Sequence, residues 1–214
     1  MTDFIPINRR TAAEFVLTRR AFFAKTSAVG VSFALGACAM APDPRTATVN
    51  PAYLRTEVAY NRREAPGTLV VDPQNHYLYL VQKGGRALRY GVGVGAEGFG
   101  WTGVATVHNK QEWPDWYPTE EMLQRKPEIR RALVQLQSGI GMPGGPENPL
   151  GARALYLWQG NKDTLYRIHG TNEPGTIGQN VSSGCIRLTN DDVIDLYERT
   201  AAGTKVVVLP SPTA

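Results

Sequence analysis

Short runs of alternating apolar and polar residues, separated by glycine and proline turns, recur from Thr68 to the C-terminal end of the chain. A period of two is typical of a β-strand with one buried face, and frequent turns keep such strands short. The predicted strands are TLVVD, HYLYLVQ, RALRYGVGVG, TGVATVHNKQEW, RALYLWQ, TLYRIHG and TKVVVL. The pattern predicts a mainly β fold, a sandwich or barrel, with one or two short helices.

Two segments interrupt the strand pattern with helical features. The segment TEEMLQRKPEIRRALVQL predicts helical turns broken at Pro127, because proline lacks the backbone N–H and clashes inside a helix. The segment TNDDVIDLYERTAAG is the clearest helix, with Thr189 and Asp192 in a capping-box pattern and Gly203 as a C-terminal stop. Between the two, SGIGMPGGPENPLGA is predicted to be a loop.

The N-terminal stretch LTRRAFFAKTSAVGVSFALGACAM has a charged start, an apolar middle and a small-residue end. Its uncharged run is shorter than the roughly 20 residues that span a bilayer, so it predicts an export signal. Arg19-Arg20 favours twin-arginine export, and an ordinary Sec signal is the alternative. LGAC resembles a lipobox that would lipidate Cys38, although cleavage by the ordinary signal peptidase fits as well.

The charge of the chain argues against a nucleic-acid partner. Of 23 basic and 19 acidic side chains, five and two lie in the first 38 residues, which leaves a net charge of +1 beyond them. Nucleic-acid binding needs a clustered basic excess, which this remainder lacks.

Two further patterns do not predict a cofactor or a metal. The glycines of GVGVGAEGFG precede an extended segment, whereas a dinucleotide site needs a helix there. The three histidines, His76, His108 and His169, lie far apart and show no metal-ligand spacing.

The segment YRIHGTNEPGTIGQNVSSGCIRLTNDD contains Cys185, the only cysteine beyond the leader, sixteen residues after His169. A buried structural thiol is one interpretation. The other is a nucleophile, which needs a lowered pKa, a base within hydrogen-bond reach and donors for an oxyanion. The amides of Gly184 and Cys185 are the candidate donors, and Arg187 offers a fork for a carboxylate. The spacing alone leaves both interpretations open.

The stretch HGTNEPGTIGQNVSSGCIRLTNDDVIDLYERT resembles the active-site signature of the L,D-transpeptidase (YkuD-type) family, including its ErfK and YbiS branch. The glycine-rich strand, the tryptophan segment and the glycine/proline loop upstream are similar to family features as well. The resemblance covers about Thr68 to Leu209. Together with the leader pattern, it divides the chain into an export signal over residues 1–38, a tether and entry segment over 39–67, a catalytic domain over 68–210 and a tail over 211–214.

The resemblance implies that Cys185 is the nucleophile and His169 the general base and acid. Ser183 departs from the family pattern, because many members carry a second histidine there. Since Gly170 has no side chain, we expect a backbone carbonyl to orient the His169 ring. We assign Arg187 and the following residues to substrate binding: Ser182, Ser183, Gly170, Trp113 and Trp116. For the two tryptophans, core packing is an equal alternative.

The resemblance further implies a periplasmic enzyme that acts on peptidoglycan stem peptides without a metal or cofactor. The expected acceptors are a second stem, giving a 3–3 cross-link, and a protein lysine, such as that of an outer-membrane lipoprotein. Water as acceptor would make the enzyme a carboxypeptidase or endopeptidase. A non-catalytic wall-binding module is the alternative of another class. The family implies that carbapenems acylate the cysteine.

Overall fold

The period-two runs of the sequence form strands in the structure, a computed structural model that describes residues 48–97 and 99–210. The predicted export signal, with Arg19-Arg20 and Cys38, and the predicted tail 211–214 lie outside the described residues. The strands are β1 (Thr56–Ala59), β2 (Leu69–Asp72), β3 (Tyr77–Gln82), β4 (Arg86–Gly91), β5 (Val94–Gly95), β6 (Gly103–Glu112), β7 (Val134–Leu136), β8 (Gly139–Gly141), β9 (Arg153–Gln159), β10 (Lys162–His169), β11 (Asn180–Ser182), β12 (Ile186–Arg187) and β13 (Lys205–Val208).

The helices are α1 (Glu120–Arg125) and α2 (Asn190–Arg199), and three short 3-10 segments span Pro51–Tyr53, Pro127–Ala132 and Pro174–Thr176. The predicted cap of α2 is confirmed, because the Thr189 side chain accepts the backbone N–H of Asp192. The break at Pro127 is confirmed too, since α1 ends just before it and a 3-10 segment begins there. No described helix is long and apolar enough to cross a bilayer.

Nine strands form one mixed sheet in the order β1-β4-β3-β2-β13-β6-β9-β10-β12. The pairs β2–β13 and β10–β12 are parallel, and the other neighbours are antiparallel. A bridge between Gly93 and Arg187 joins the β12 end of the sheet to the segment after β4, so the sheet curves back on itself. The mainly β fold predicted from the sequence is confirmed.

Both faces of the sheet are buried along β2, where Leu69 and Val71 enter the main core and Val70 enters a second cluster with Tyr60. Helix α2 closes the main core with Val193 and Leu196. The alternation predicted for HYLYLVQ is confirmed, since Leu78 and Leu80 are buried in the main core.

Five strands were not predicted from the sequence. Strand β1 lies in the segment expected to be a tether, and it pairs with β4 at one end of the sheet. Strands β7 and β8 form a small hairpin in which Val134 pairs with Gly141. Strands β11 and β12, which lie on either side of Cys185, are the other two. All five strands are only two to four residues long, so their sequences carry little period-two signal.

Candidate active site

The register between β10 and β12 brings the candidate cysteine and histidine together. Ile168 pairs with Ile186, and His169 pairs with Arg187. Both isoleucines are buried in the main core. Because side chains alternate across a strand, Arg167 and His169 project from the other face, with Arg187 beside them and Cys185 at the strand entry. We call these four residues the Cys–His face.

His169 is buried, with 3% of its surface exposed. Its Nδ1 lies 2.5 Å from the carbonyl oxygen of Gly170, so the neutral ring donates through Nδ1 and carries the free lone pair on Nε2. This geometry confirms that a backbone carbonyl orients the ring. Burial lowers the pKa of His169 to about 3, and the positive charge of Arg187 lowers it further. Hydrogen bonds to the carbonyls of Gly170 and Leu150 act in the opposite direction but are outweighed. The imidazole is therefore neutral at neutral pH.

Cys185 is half-buried and has no disulfide partner in the described part of the chain. Its Sγ lies 4.0 Å from the carbonyl oxygen of Leu165, and the recorded hydrogen bond of the thiol goes there rather than to His169. Burial raises the pKa of the Cys185 thiol, while an N–H of Arg167 and the charges of Arg167 and Arg187 act in the opposite direction. The sequence led us to expect a lowered pKa, so the structure corrects that expectation to a neutral thiol beside a neutral base.

Ser182 shapes the turn that carries the cysteine. Its buried hydroxyl donates to the Cys185 carbonyl at 2.6 Å and accepts the Gly184 N–H at 3.1 Å. Gly184 has φ +107°, and a Cβ there would overlap the Tyr166 ring, so glycine is required. Ser182 thus holds the turn from inside, and the Gly184 amide has an acceptor in this structure. The assignments of Ser182 to substrate binding and of the Gly184 amide to the oxyanion stay predictions.

Two arginines of the Cys–His face are held by carboxylates. Arg187 Nη1 lies 3.2 Å from Glu173 Oε2. Arg167 makes a bidentate pair with Asp163 at 2.7 and 2.8 Å. Arg167 was missed in the sequence, although the alternation in YRIH places it on the same face as His169.

Ser183 contacts a residue that sequence analysis did not single out. Arg125 Nη2, from α1, donates to Ser183 Oγ at 3.1 Å. The Arg125 guanidinium also lies over the Phe99 ring, 5.3 Å from its centroid. Arg125 and Ser183 are 58 positions apart, and no local pattern relates them.

Gly170 and the two predicted tryptophans are held by neighbouring residues, and their assignment to substrate binding stays a prediction. A Cβ on Gly170 would overlap Asn190 Oδ1, so this residue is required for packing and for orienting His169. The Trp113 N–H donates to Ala152 at 2.8 Å, and Trp116 exchanges two backbone bonds with Met142.

A different tryptophan lies near the turn that carries Cys185. Trp101 stacks on Tyr166 with ring centroids 5.3 Å apart, and Tyr166 lies against Gly184. The pair borders an open cavity of about 350 Å³ next to Cys185, whose neighbour Leu165 also lines it. The other lining residues are Thr102, Gln159, Lys162, Asp163 and Thr164.

Comparison with known proteins agrees with this site. The L,D-transpeptidase catalytic domain (YkuD) family model matches residues 66–208. The probable L,D-transpeptidase ErfK/SrfK of Escherichia coli (strain K12) is 40% identical over 111 residues, which are 51% of this chain and 32% of that protein. The probable L,D-transpeptidase YbiS of the same strain is 36% identical over 149 residues, 67% of this chain and 45% of that protein.

A solved structure, the Ldtfm–avibactam carbamoyl enzyme, superposes with a TM-score of 0.50 at 19% identity, over 69% of this chain and 50% of that one. At this identity the likeness shows a shared fold. The chain belongs to the L,D-transpeptidase (YkuD) catalytic domain family. It spans about a third to a half of the length of the two curated relatives.

Proposed function

We propose that this protein is a peptidoglycan L,D-transpeptidase that uses Cys185 as its nucleophile and His169 as its general base and acid. The observation that carries the proposal is the β10–β12 register, which supports a cysteine and a correctly oriented neutral histidine on one face. Membership of the family supplies the reaction class.

The reaction begins on a tetrapeptide stem. Cys185 Sγ attacks the carbonyl at the L-centre of meso-diaminopimelate as its proton passes to His169 Nε2. The tetrahedral intermediate collapses, the C–N bond to the terminal D-alanine breaks, and His169 returns the proton to the departing amine. An acceptor amine then attacks the thioester, gives its proton to His169 and releases the Cys185 thiol.

The oxyanion of the intermediate is assigned first to the Cys185 amide. The Gly184 amide donates to Ser182 Oγ in this structure. It can therefore serve as a second oxyanion donor only when it exchanges that hydrogen bond for one to the oxyanion. Ser182 is a positioning residue in this scheme, because its second bond fixes the Cys185 carbonyl.

Three acceptors separate the favoured activity from its alternatives. A second stem gives a 3–3 cross-link, and a lysine of an outer-membrane lipoprotein gives attachment to the wall. Water gives an L,D-carboxypeptidase or endopeptidase on the same scaffold. A non-catalytic wall-binding module would need neither Cys185 nor the oriented His169 ring.

The proposed location is the periplasm, where the substrate lies. It rests on the N-terminal segment, with Arg19-Arg20 for twin-arginine export and Cys38 for lipidation. Replacement of both arginines by lysine should leave precursor in the cytoplasm, and normal export of that variant points to the Sec route. Palmitate labelling that disappears in Cys38→Ala supports a lipid anchor.

The activity is tested by incubating the mature protein with purified muropeptides and measuring the products by mass spectrometry. Cross-linked dimers and released D-alanine are expected from the wild type, and neither from Cys185→Ala. His169→Ala should lower the rate about 10²–10⁴-fold, the usual contribution of a general base. Tripeptide alone as product indicates the hydrolase, and unchanged turnover by Cys185→Ala refutes the nucleophile assignment.

A further inference from the structure

Three guanidinium groups surround the turn that carries Cys185, and their partners differ. Arg167 and Arg187 are each paired with a carboxylate at 3.2 Å or less. Arg125 lies 3.7 Å from Glu121, and both of those side chains are about half exposed or more, at 47% and 63%. Exposed pairs of this kind contribute little, so Arg125 keeps most of its capacity to bind another anion.

Arg125 is nevertheless held in place beside the nucleophile. One N–H of its guanidinium donates to Ser183, two residues before Cys185. Its plane lies over the Phe99 ring, and the Phe99 carbonyl lies against Gly184 in the same turn. A guanidinium has five N–H donors, so the bond to Ser183 leaves a fork available for a carboxylate.

The residue at position 183 fits this arrangement. The Ser183 hydroxyl accepts a hydrogen bond from a cation at 3.1 Å. A protonated histidine at the same place has only donors and would repel the guanidinium. The serine at position 183 is thus compatible with a cationic neighbour from α1.

We propose that Arg125, rather than Arg187, binds the C-terminal carboxylate of the donor stem peptide, a role that rests on the proposed function. In the tetrapeptide that carboxylate belongs to the residue directly after the scissile carbonyl, about 3.8 Å away between Cα atoms. Arg125 donates to Ser183, which lies two residues before the attacking cysteine in the same turn. A bidentate guanidinium–carboxylate pair would orient the leaving D-alanine.

The test measures binding without turnover. Tetrapeptide stem and its C-terminal amide are titrated by calorimetry into Cys185→Ala and into the double variant that also carries Arg125→Ala. Arg125→Ala should raise the Kd of the free acid about tenfold or more and leave the Kd of the amide unchanged. Arg125→Lys should recover part of the loss, because the charge stays while the fork is lost.

Arg130→Ala is the matched control, since Arg130 is equally exposed and pairs with Glu120 in the same region. It should leave both Kd values unchanged, and melting curves should show that every variant is folded. Equal Kd values for the acid before and after Arg125→Ala overturn the proposal. An equal loss for acid and amide also overturns it, because the contact would then not involve the carboxylate.

A third peptide, amidated on the side-chain carboxylate of diaminopimelate, separates the two carboxylates near the scissile bond. If Arg125 dependence disappears with this peptide and persists with the C-terminal amide, the assignment to D-alanine is wrong. The product analysis of the wild type decides the proposed function separately, because the calorimetry uses protein that cannot turn over.

Discussion

The Nδ1 atom of His169 lies 2.5 Å from the carbonyl oxygen of Gly170, the next residue in the chain. This contact fixes the tautomer of a buried ring, with the proton on Nδ1 and the lone pair on Nε2. A side-chain carboxylate in the same place would favour the imidazolium more strongly than the carbonyl does, and burial keeps the ring neutral. The site is therefore a neutral thiol beside a neutral imidazole rather than a preformed ion pair.

The buried histidine predicts a loss of stability in acid. The pKa of His169 is about 3 in the folded protein and about 6.5 in an unfolded chain, so the unfolded state binds the proton first. The free energy of unfolding should fall as pH falls below 6.5, by about 3 kcal/mol at pH 4. Urea titrations at several pH values measure it. His169→Gln should show a shallower fall between pH 6.5 and 4, and an identical profile contradicts the assigned pKa.

The thiol predicts slow alkylation at neutral pH. Because burial raises the pKa of Cys185, the iodoacetamide rate should reach half its maximum above pH 8.5, the region of an ordinary thiol. Arg167→Met should move the midpoint further upward, since it removes a positive charge from the Cys–His face. Intact-mass measurement over a pH series gives the rates. A midpoint near pH 7 would show a preformed thiolate and would reject the neutral-pair description.

The turn predicts a large difference between two adjacent serines. Ser182→Ala removes both bonds that hold the Cys185 turn and leaves the buried Gly184 N–H without its acceptor, so it should cost about 1–3 kcal/mol. Ser183→Ala removes one exposed bond and should cost far less. Thermal unfolding compares the stabilities of the two variants. The rate of thioester formation should also be lower in Ser182→Ala, because the turn that carries Cys185 is less well ordered. Equal melting temperatures would contradict the role given to Ser182.

Carbapenems should form a single adduct, located by mass spectrometry on the tryptic peptide that contains Cys185. Arg187 pairs with Glu173, so Arg187→Ala should lower stability by about 1–3 kcal/mol while folded protein acylates at nearly the wild-type rate. The initial expectation from the sequence was that Arg187 holds the carboxylate of the drug. A ten- to hundredfold slower acylation by folded Arg187→Ala would restore that role.

Local sequence determined most of the strands and the longer helix. The alternation in HYLYLVQ and the Thr189 cap need only neighbouring residues, and both appear in the structure as predicted. The cysteine and histidine were found because their motif is local as well, since they lie sixteen positions apart in the chain. The segment over β1 was predicted to be part of a tether, but in the structure it forms a strand. Its pairing with β4 stabilises that strand, and composition alone does not reveal this pairing.

Tertiary structure alone decided the electrostatics and the partners of the site. The spacing of His169 and Cys185 does not reveal that the His169 ring is buried or that the pKa of the Cys185 thiol is raised. Nor does it reveal that the Ser182 hydroxyl accepts a hydrogen bond from the Gly184 amide. Arg125 reaches Ser183 from 58 positions away. Periodicity records which face of a strand is apolar, but desolvation and ion pairing depend on which distant segments pack against that face.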